Sequence, residues 1–586
     1  MNKSDKNVKT PEWARDVIWY QIFPERFRNG DPTNDPTLED IREKIPGWVV
    51  REWGSDWYKP DSWEEENFPS IFKSIYQRRY GGDLQGIIDK LDYLENLGIT
   101  GIYLNPVFRA PSLHKYDGMC FHHIEETFGP DPEGDRKMIA QARETHDPDT
   151  WVWTSADKLF FDFLEKAHRR GIKVIIDGVF NHSSRYFFAF QDILEKGRKS
   201  IYTDWYEIKK WDDSLPDGFE YTSWHGYHYL PEFRKVDDNL NPGYKKYLFD
   251  ITRRWMAPHG NVEEGIDGWR LDVAFCIPHG FWKEWRKVVK GINPLAYLVA
   301  EVIEIKPEYL QGDEFDALMN YPFAINLISY FVNKKNKIST TEFVKRMEDL
   351  RKAYPDEITR VMQNLLSSHD TPRLRTFIVN PDMNLEEWSL HHSRSQAEHN
   401  LEYRLDRGAE IHKKIHKMMA AFQLTYMGAP MIYYGDELGM SGANDPDCRK
   451  PMLWEDLKYE DEICYPHKDK PKVKEQNAPD LELKEYYKKL IQIRKKHISL
   501  RRGSFKVLLS DDERDILAFQ REYKQEKIIT VFNNNKETQN ISLFVEIPEG
   551  ETFTDLLEKA REYEVKKGKL NLVIPGKNII ILQQNR

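Results

Sequence analysis

The chain has 586 residues, with 86 Lys and Arg against 96 Asp and Glu, giving a formal net charge of −10. That mild acidity argues against a nucleic-acid binder, which needs a basic face. A mean hydropathy of −0.71, with no apolar run of about 18 residues, excludes an ordinary membrane-spanning helix. Cys120, Cys276, Cys448 and Cys464 form no C-x-x-C pair, so neither a disulfide framework nor a zinc ribbon is expected. The polar start Met1-Asn2-Lys3-Ser4 lacks the apolar core of a signal peptide, and a cytoplasmic setting is the expectation. Aromatic residues make up 13% of the chain and are read from composition as core.

Eight short apolar runs, at 17–23, 101–106, 173–180, 268–272, 297–302, 317–322, 365–369 and 431–437, alternate with helical stripes. Such strands predict a parallel sheet covered on its outer face, and eight of them favour a closed (β/α)8 TIM barrel over an open sheet. Asp83, followed by Leu84, Ile87, Leu91 and Leu94, predicts a helix capped by Asp83 and stopped by Gly98. Ser155 is expected to cap the stripe Phe160, Phe163, Leu164 and Ala167, and Asp480 precedes another through Leu483, Tyr487, Leu490 and Ile491.

Three stretches exceed a minimal barrel. Residues 36–80 are rich in Trp, Pro and charge, 183–245 in aromatics, and 380–412 are polar. Each follows a strand, on the face where barrel sites form, and loops of that length shape clefts. Beyond residue 500, short alternating segments and the turn signals Asn533-Asn534-Asn535 and Pro575-Gly576 predict a small antiparallel domain. The expected organisation is a tail (1–16), the barrel (17–182 and 246–500), an inserted domain (183–245) and a C-terminal β-sandwich (501–586).

Chemistry in a barrel comes from the C-terminal ends of its strands. Arg270 and Asp272 lie two apart on one strand and share a face; the guanidinium is expected to keep the carboxylate ionised, as a nucleophile requires, or the two form a structural ion pair. Glu301 follows the apolar run Tyr297-Leu298-Val299-Ala300, where desolvation would suit a general acid. Asp370 ends a third strand, with His182, His369 and Arg270 around the same mouth. Two carboxyls astride one bond are the apparatus of glycoside hydrolysis.

These strand ends resemble the four signature regions of the α-amylase family of glycoside hydrolases: 177–182 (DGVFNH), 268–272 (GWRLD), Ala300-Glu301-Val302 and 368–373 (SHDTPR). They occur in the family's order. Leu230-Pro231-Glu232-Phe233 is similar to the motif of its B domain, and 428–437 (GAPMIYYGDE) to that of its eighth strand. The resemblance implies that Asp272 is the nucleophile, Glu301 the acid and base, and Asp370 the stabiliser of the transition state. It implies that Arg270 orients Asp272, that His182 and His369 bind the glucose whose bond is cut, that Tyr116 stacks beneath it, and that Arg373 helps to orient it. Residues 19–36, 81–86, 111–117 and 445–454 resemble most the neopullulanase, cyclomaltodextrinase and maltogenic amylase group, without its N-terminal domain. The loop at 40–80 is longer than that group's, and Val273-Ala274-Phe275-Cys276 replaces its usual sequence beside the leaving group.

Asn29, Asp31, Asn34 and Asp35 crowd one loop, with Gly81 and Asp83 at the next helix start. Spacing alone fits Asx turns as well as calcium ligands. The resemblance implies a structural calcium ion on these six residues. His122-His123 and His391-His392 are read as non-ligating, because adjacent residues of a strand point to opposite faces.

The expected activity is a retaining hydrolase of α-1,4 bonds in maltooligosaccharides and/or cyclodextrins, with some transglycosylation. The partner is an α-glucan oligosaccharide, not nucleic acid or membrane, with monomer or dimer left open. The rivals are a transferase or isomerase on the same scaffold and a non-catalytic sugar-binding relative. The last is disfavoured because all three carboxylates are present.

Overall fold

The structure is a computed structural model that describes residues 8–383, 393–464, 475–558 and 561–585. Eight parallel strands form its central sheet: β1 (Trp19–Ile22), β2 (Gly101–Leu104), β3 (Lys173–Gly178), β4 (Gly268–Leu271), β5 (Tyr297–Ala300), β6 (Ala317–Leu318), β7 (Gln363–Leu365) and β8 (Ala429–Tyr433). They run in the order β6-β5-β4-β3-β2-β1-β8-β7, and a parallel bridge between Met319 and Gln363 joins β6 to β7 and closes the ring. The strands are buried along their length, apart from the partly exposed Lys173, and Trp19, Trp255, Trp269, Trp282 and Trp285 fill the space around them. The aromatic composition is thus mostly core.

Two strands sit earlier than the apolar runs suggested. The seventh was expected at 365–369 and lies at Gln363–Leu365; the eighth was expected at 431–437 and lies at Ala429–Tyr433. Polar strand residues hid the seventh. Asn364 donates from Nδ2 to the Met427 carbonyl (2.7 Å) and accepts from Asn320 Nδ2 (2.8 Å), so it is buried with its bonds made. The eighth stops at Gly435, whose φ of 83° leads into a short turn.

The helix ends follow capping chemistry. Asp83 accepts from the Gly86 amide, and Gly98 ends that helical stretch in the left-handed region, as expected. Asp480 caps Leu481–Lys496. Ser155 is not a cap: Thr154 precedes helix Ser155–Arg169 and exchanges bonds with Asp157 in a capping box.

Residues 183–245 carry two small hairpins and the helix Phe188–Lys196 around buried Phe187, Phe190, Tyr206, Phe219 and Phe233. Tyr227 and Tyr229 remain exposed there. The C-terminal part pairs a six-stranded antiparallel sheet with a two-stranded one over Ile516, Val531, Leu543, Phe553 and Leu572. Its outer face meets the barrel through Phe519 and Phe532 against Phe422.

His391-His392 lie outside the described residues. The other histidine pair does not point to opposite faces, because 121–123 is a bend rather than a strand. His122 Nε2 and His123 Nε2 both reach Glu144 Oε2, at 3.3 and 2.8 Å. The outer nitrogens meet the Tyr247 hydroxyl (2.9 Å) and Asp157 (2.8 Å), so all four are partnered. Burial lowers His122 to about 3. Burial also opposes charge on His123, but Asp157 and Glu144 outweigh it and hold this imidazole above the ordinary value. A histidine raised in the folded state adds stability below its unfolded pKa of about 6.5 and loses it as pH rises through the folded value. Glu144→Gln should therefore lower the melting temperature more at pH 6 than at pH 9; equal losses at both would place the proton elsewhere.

Candidate active site

Asp177 on β3 and Arg270 on β4 are register partners, and this pairing sets the centre of the barrel mouth. Gly268 starts β4 because a Cβ there would meet the Tyr297 carbonyl oxygen at 1.9 Å. Arg270 is fully buried. Its Nη1 donates to Asp177 Oδ1 (2.9 Å) and Asp272 Oδ1 (2.8 Å), while Nη2 stands 2.9 Å from Glu301 Oε2. Asp177 also accepts from the hydroxyls of Tyr103 (2.8 Å) and Tyr116 (2.9 Å).

One guanidinium thus serves three carboxylates and cannot neutralise them all. Burial pushes the Asp272 carboxyl well above the usual range; Arg270 opposes this, and the Glu301 and Asp177 charges reinforce it. Arg270 alone therefore does not fix Asp272 as ionised.

The turn after Asp272 is strained. Val273, a β-branched residue, has φ 37°, which is costly without a glycine. Its amide donates to Glu301 Oε2 (2.9 Å), and the Cys276 amide donates back to its carbonyl (2.8 Å). Glu301 thereby pins the loop that carries Phe275 to the surface.

On the other side, Asp370 Oδ2 lies 2.9 Å from His369 Nε2 and Oδ1 accepts from Arg449 Nη2 (3.1 Å). Burial raises the Asp370 carboxyl, but His369, Arg449 and Arg270 outweigh it and hold it below the usual range. Gln21 Nε2 donates to His369 Nδ1 (2.8 Å), which leaves the proton on Nε2. The Tyr116 ring lies parallel to His369 (5.4 Å, 3°). His182 donates from Nε2 to the Tyr116 carbonyl (3.1 Å) and stacks on Trp224 (5.1 Å, 22°); burial lowers it to about 4, so it is neutral at pH 7.

The comparisons agree with this geometry. Residues 21–146 and 155–503 match the model of the α-amylase catalytic domain, and 505–581 that of the maltogenic amylase C-terminal domain. The chain belongs to the α-amylase family. Neopullulanase 2 of Thermoactinomyces vulgaris is 36% identical over 577 residues, which cover 98% of this chain and 79% of the relative. Among solved structures, a cyclomaltodextrinase aligns with a TM-score of 0.72 and 32% identity, covering 99% of this chain and 79% of the other. The cyclic α-maltosyl-(1→6)-maltose hydrolase of Arthrobacter globiformis aligns with a TM-score of 0.70 and 27% identity, covering 98% and 100%. This α-amylase family chain is a glycoside hydrolase acting on α-glucans. Among the described residues, no helix is long and apolar enough to cross a membrane.

Seven of the eight residues expected around the sugar converge: Asp272, Glu301, Asp370, Tyr116, His182, Arg270 and His369. Arg373 does not. Its Nη1 donates to the Tyr434 carbonyl (2.6 Å) and its guanidinium lies against the rings of Tyr433 and Tyr434, below the mouth. Arg449 supplies the arginine beside Asp370. Sequence reasoning gave it no role, although it stands in the Asp445–Trp454 stretch that carried the family likeness. Asp177 was also missed; its signal was its place at the head of DGVFNH.

The metal-loop residues are together as well. Asp83 accepts from the amides of Gly30 (3.1 Å), Asp31 (2.9 Å) and Gly86 (2.6 Å) and from Asn34 Nδ2 (3.1 Å). Asn29 Nδ2 donates to Asp35 (2.6 Å), and a Cβ on Gly81 would meet that Asp35 oxygen at 2.0 Å.

Arg449 also donates from Nε to the His369 carbonyl (2.9 Å) and pairs with Asp445 (3.0 Å), so it sets where Asp370 points. Arg449→Ala should lower kcat by about 10²-fold through misplacement of Asp370. KM should change less, and Arg449→Lys should recover only part, because lysine lacks the fork. Unchanged kcat on maltotriose would remove Arg449 from the site.

Proposed function

We propose that the chain hydrolyses α-1,4-glucosidic bonds of maltooligosaccharides and/or cyclodextrins with retention at the anomeric carbon, and with some transglycosylation. The observation that carries this is the grip of Asp272 and Glu301 on one guanidinium, which keeps the two carboxyls close, as a double displacement requires. Asp272 attacks the anomeric carbon and forms a glucosyl ester, while Glu301 protonates the departing glycosidic oxygen. Glu301 then takes a proton from water, whose oxygen attacks the same carbon and releases Asp272. Asp370, held ionised, accepts bonds from hydroxyls of the same glucose as positive charge develops. Tyr116 lies beneath that ring, with His369 and His182 at its edge. The names of relatives, neopullulanase and cyclomaltodextrinase among them, support an oligosaccharide substrate. Relatives named intracellular maltogenic amylase support a cytoplasmic setting.

Time-resolved proton NMR with maltotriose tests this. Wild-type protein should release the α-anomer first, and Asp272→Asn should release none above about 10⁻³ of the wild-type rate. A first-formed β-anomer would overturn the mechanism.

We also propose calcium on Asn29, Asp31, Asn34, Asp35, Gly81 (carbonyl) and Asp83. Two observations support the fit. Asn29 Oδ1 and Asn34 Oδ1 are buried without a protein partner. Burial, and then the charges of Asp83, Glu25 and Asp31, push Asp35 up to about 6, the mark of a loop short of positive charge. The ion would tie the loop after β1 to the helix that Asp83 caps. Calcium should raise the melting temperature of chelator-treated wild-type protein by several degrees and leave Asp35→Asn unchanged. An equal response of both would place the ion elsewhere.

A further inference from the structure

The stretch at 36–80 is a packed wall, not a free loop. Glu64 sits inside it between Arg78 (2.7 Å) and Arg51 (3.4 Å), all three buried. Its outer contacts reach around one side of the mouth. Trp57 Nε1 donates to Asp447 (2.8 Å) and Trp53 Nε1 to the Met452 carbonyl (2.9 Å), which fixes it to the loop after β8. Lys73 pairs with Glu398 (3.1 Å), and Trp57, Tyr58, Phe72 and Ile75 share an apolar cluster with Tyr403 and Leu405, in the loop after β7. Arg42 pairs with buried Asp117, next to Tyr116 after β2, and its guanidinium lies 4.6 Å from the ring centre of Tyr229, in the domain inserted after β3. The loops after β7, β8, β2 and β3 are thus tied into one rim.

On the remaining side two apolar side chains face solvent. Phe275, after β4, is 51% exposed, and Ile305, after β5, is 45% exposed. Glu301 stands on this side, ending β5, and its carboxylate holds the turn that leads to Phe275. A general acid must stand on the side of the departing oxygen. The part of the chain that leaves therefore runs out over Phe275. The part that stays would have to run the opposite way, past Asp370, Arg449 and Asp445, toward the tied rim.

We propose that residues 36–80 shut the glycone end of the cleft, so that the enzyme takes an α-glucan by its non-reducing end and shortens it from there. Arg42 is the specificity-determining tie that completes the wall. This rests on the hydrolysis proposed above. Burial of Asp56, which accepts from the Ile463 and Cys464 amides (2.8 Å each), anchors the wall independently of Arg42. The barrier is then built in and does not wait for a lid to close. A ring substrate offers no end, so the same wall disfavours cyclodextrins.

The test compares p-nitrophenyl maltoheptaoside with the same compound capped by a benzylidene group on O4 and O6 of its non-reducing glucose, products being read by mass spectrometry. Wild-type protein should cut the free-ended substrate about 10²-fold faster than the capped one, a steric exclusion beyond what one lost contact gives. β-Cyclodextrin should be turned over more slowly than the free-ended chain. Arg42→Ala should narrow the capped-to-free ratio by about tenfold. Tyr229→Ala, which leaves the Arg42–Asp117 pair intact, provides a second opening of the rim if Arg42→Ala does not fold. Capped and free substrates cut at equal rates by wild type would overturn the wall and leave the hydrolysis standing. Failure to cut the free-ended substrate, maltotriose and β-cyclodextrin alike would overturn the hydrolysis itself, and this inference with it.

Discussion

Arg270 is the interaction on which the rest depends. A fully buried guanidinium costs several kcal/mol of desolvation unless anions surround it, and here Asp177, Asp272 and Glu301 do so. Three anions exceed one cation, and the excess shows at Asp272, whose carboxyl burial and the charges of Glu301 and Asp177 push up against the pull of Arg270. Removing the guanidinium would leave buried negative charge uncompensated, so the cluster is a folding constraint as well as a catalytic one. The strand register supplies it. Asp177 faces Arg270 across β3 and β4, and Asp272 follows β4 directly, while Glu301 follows β5. A one-residue slip of β4 would turn Arg270 out of the mouth.

The same logic explains why Asp370 differs from Asp272. Both carboxyls feel the charge of Arg270, Asp272 from a buried position and Asp370 from a partly exposed one. Asp370 has His369 and Arg449 beside it, the latter shared with Asp445, and is held below the usual range; Asp272 is buried and shares Arg270 with two other acids, and is pushed up. Two residues of one type are driven apart by the ratio of cations to anions around each, which separates the candidate roles without any difference in side-chain chemistry.

Legibility in the sequence followed range of interaction. Apolar runs gave all eight strands, and a cap such as Asp83 was local enough to read. The seventh strand was displaced because its polar residues hid it: Asn364 is satisfied by Asn320 and the Met427 carbonyl, far along the chain. Motifs placed Asp272, Glu301, Asp370 and their neighbours because strand ends converge by topology. They misassigned Arg373, since nothing local tells whether an arginine after His-Asp turns toward the mouth or packs on Tyr433 and Tyr434. Arg449, 79 residues beyond its partner Asp370, was invisible for the converse reason: the two are brought together only by the fold.

Specificity on this scaffold resides in what is laid over the barrel, not in the barrel itself. The carboxylates and their arginine determine that a glucosidic bond is cut; they do not determine which bond along a chain. That choice depends on how far sugar can extend either way from Tyr116. The loop after Asp272 places Phe275 in solvent, and two of the four tryptophans in the stretch after β1, Trp57 and Trp53, are committed to Asp447 and Met452 rather than to a groove surface. Indoles whose N–H groups are bonded inward serve as masonry, because turning one toward a sugar would give up its hydrogen bond to the Asp447 carboxylate or the Met452 carbonyl. A stretch rich in Trp beside a carbohydrate site thus acts by exclusion, and its aromatic content measures how firmly the wall is set.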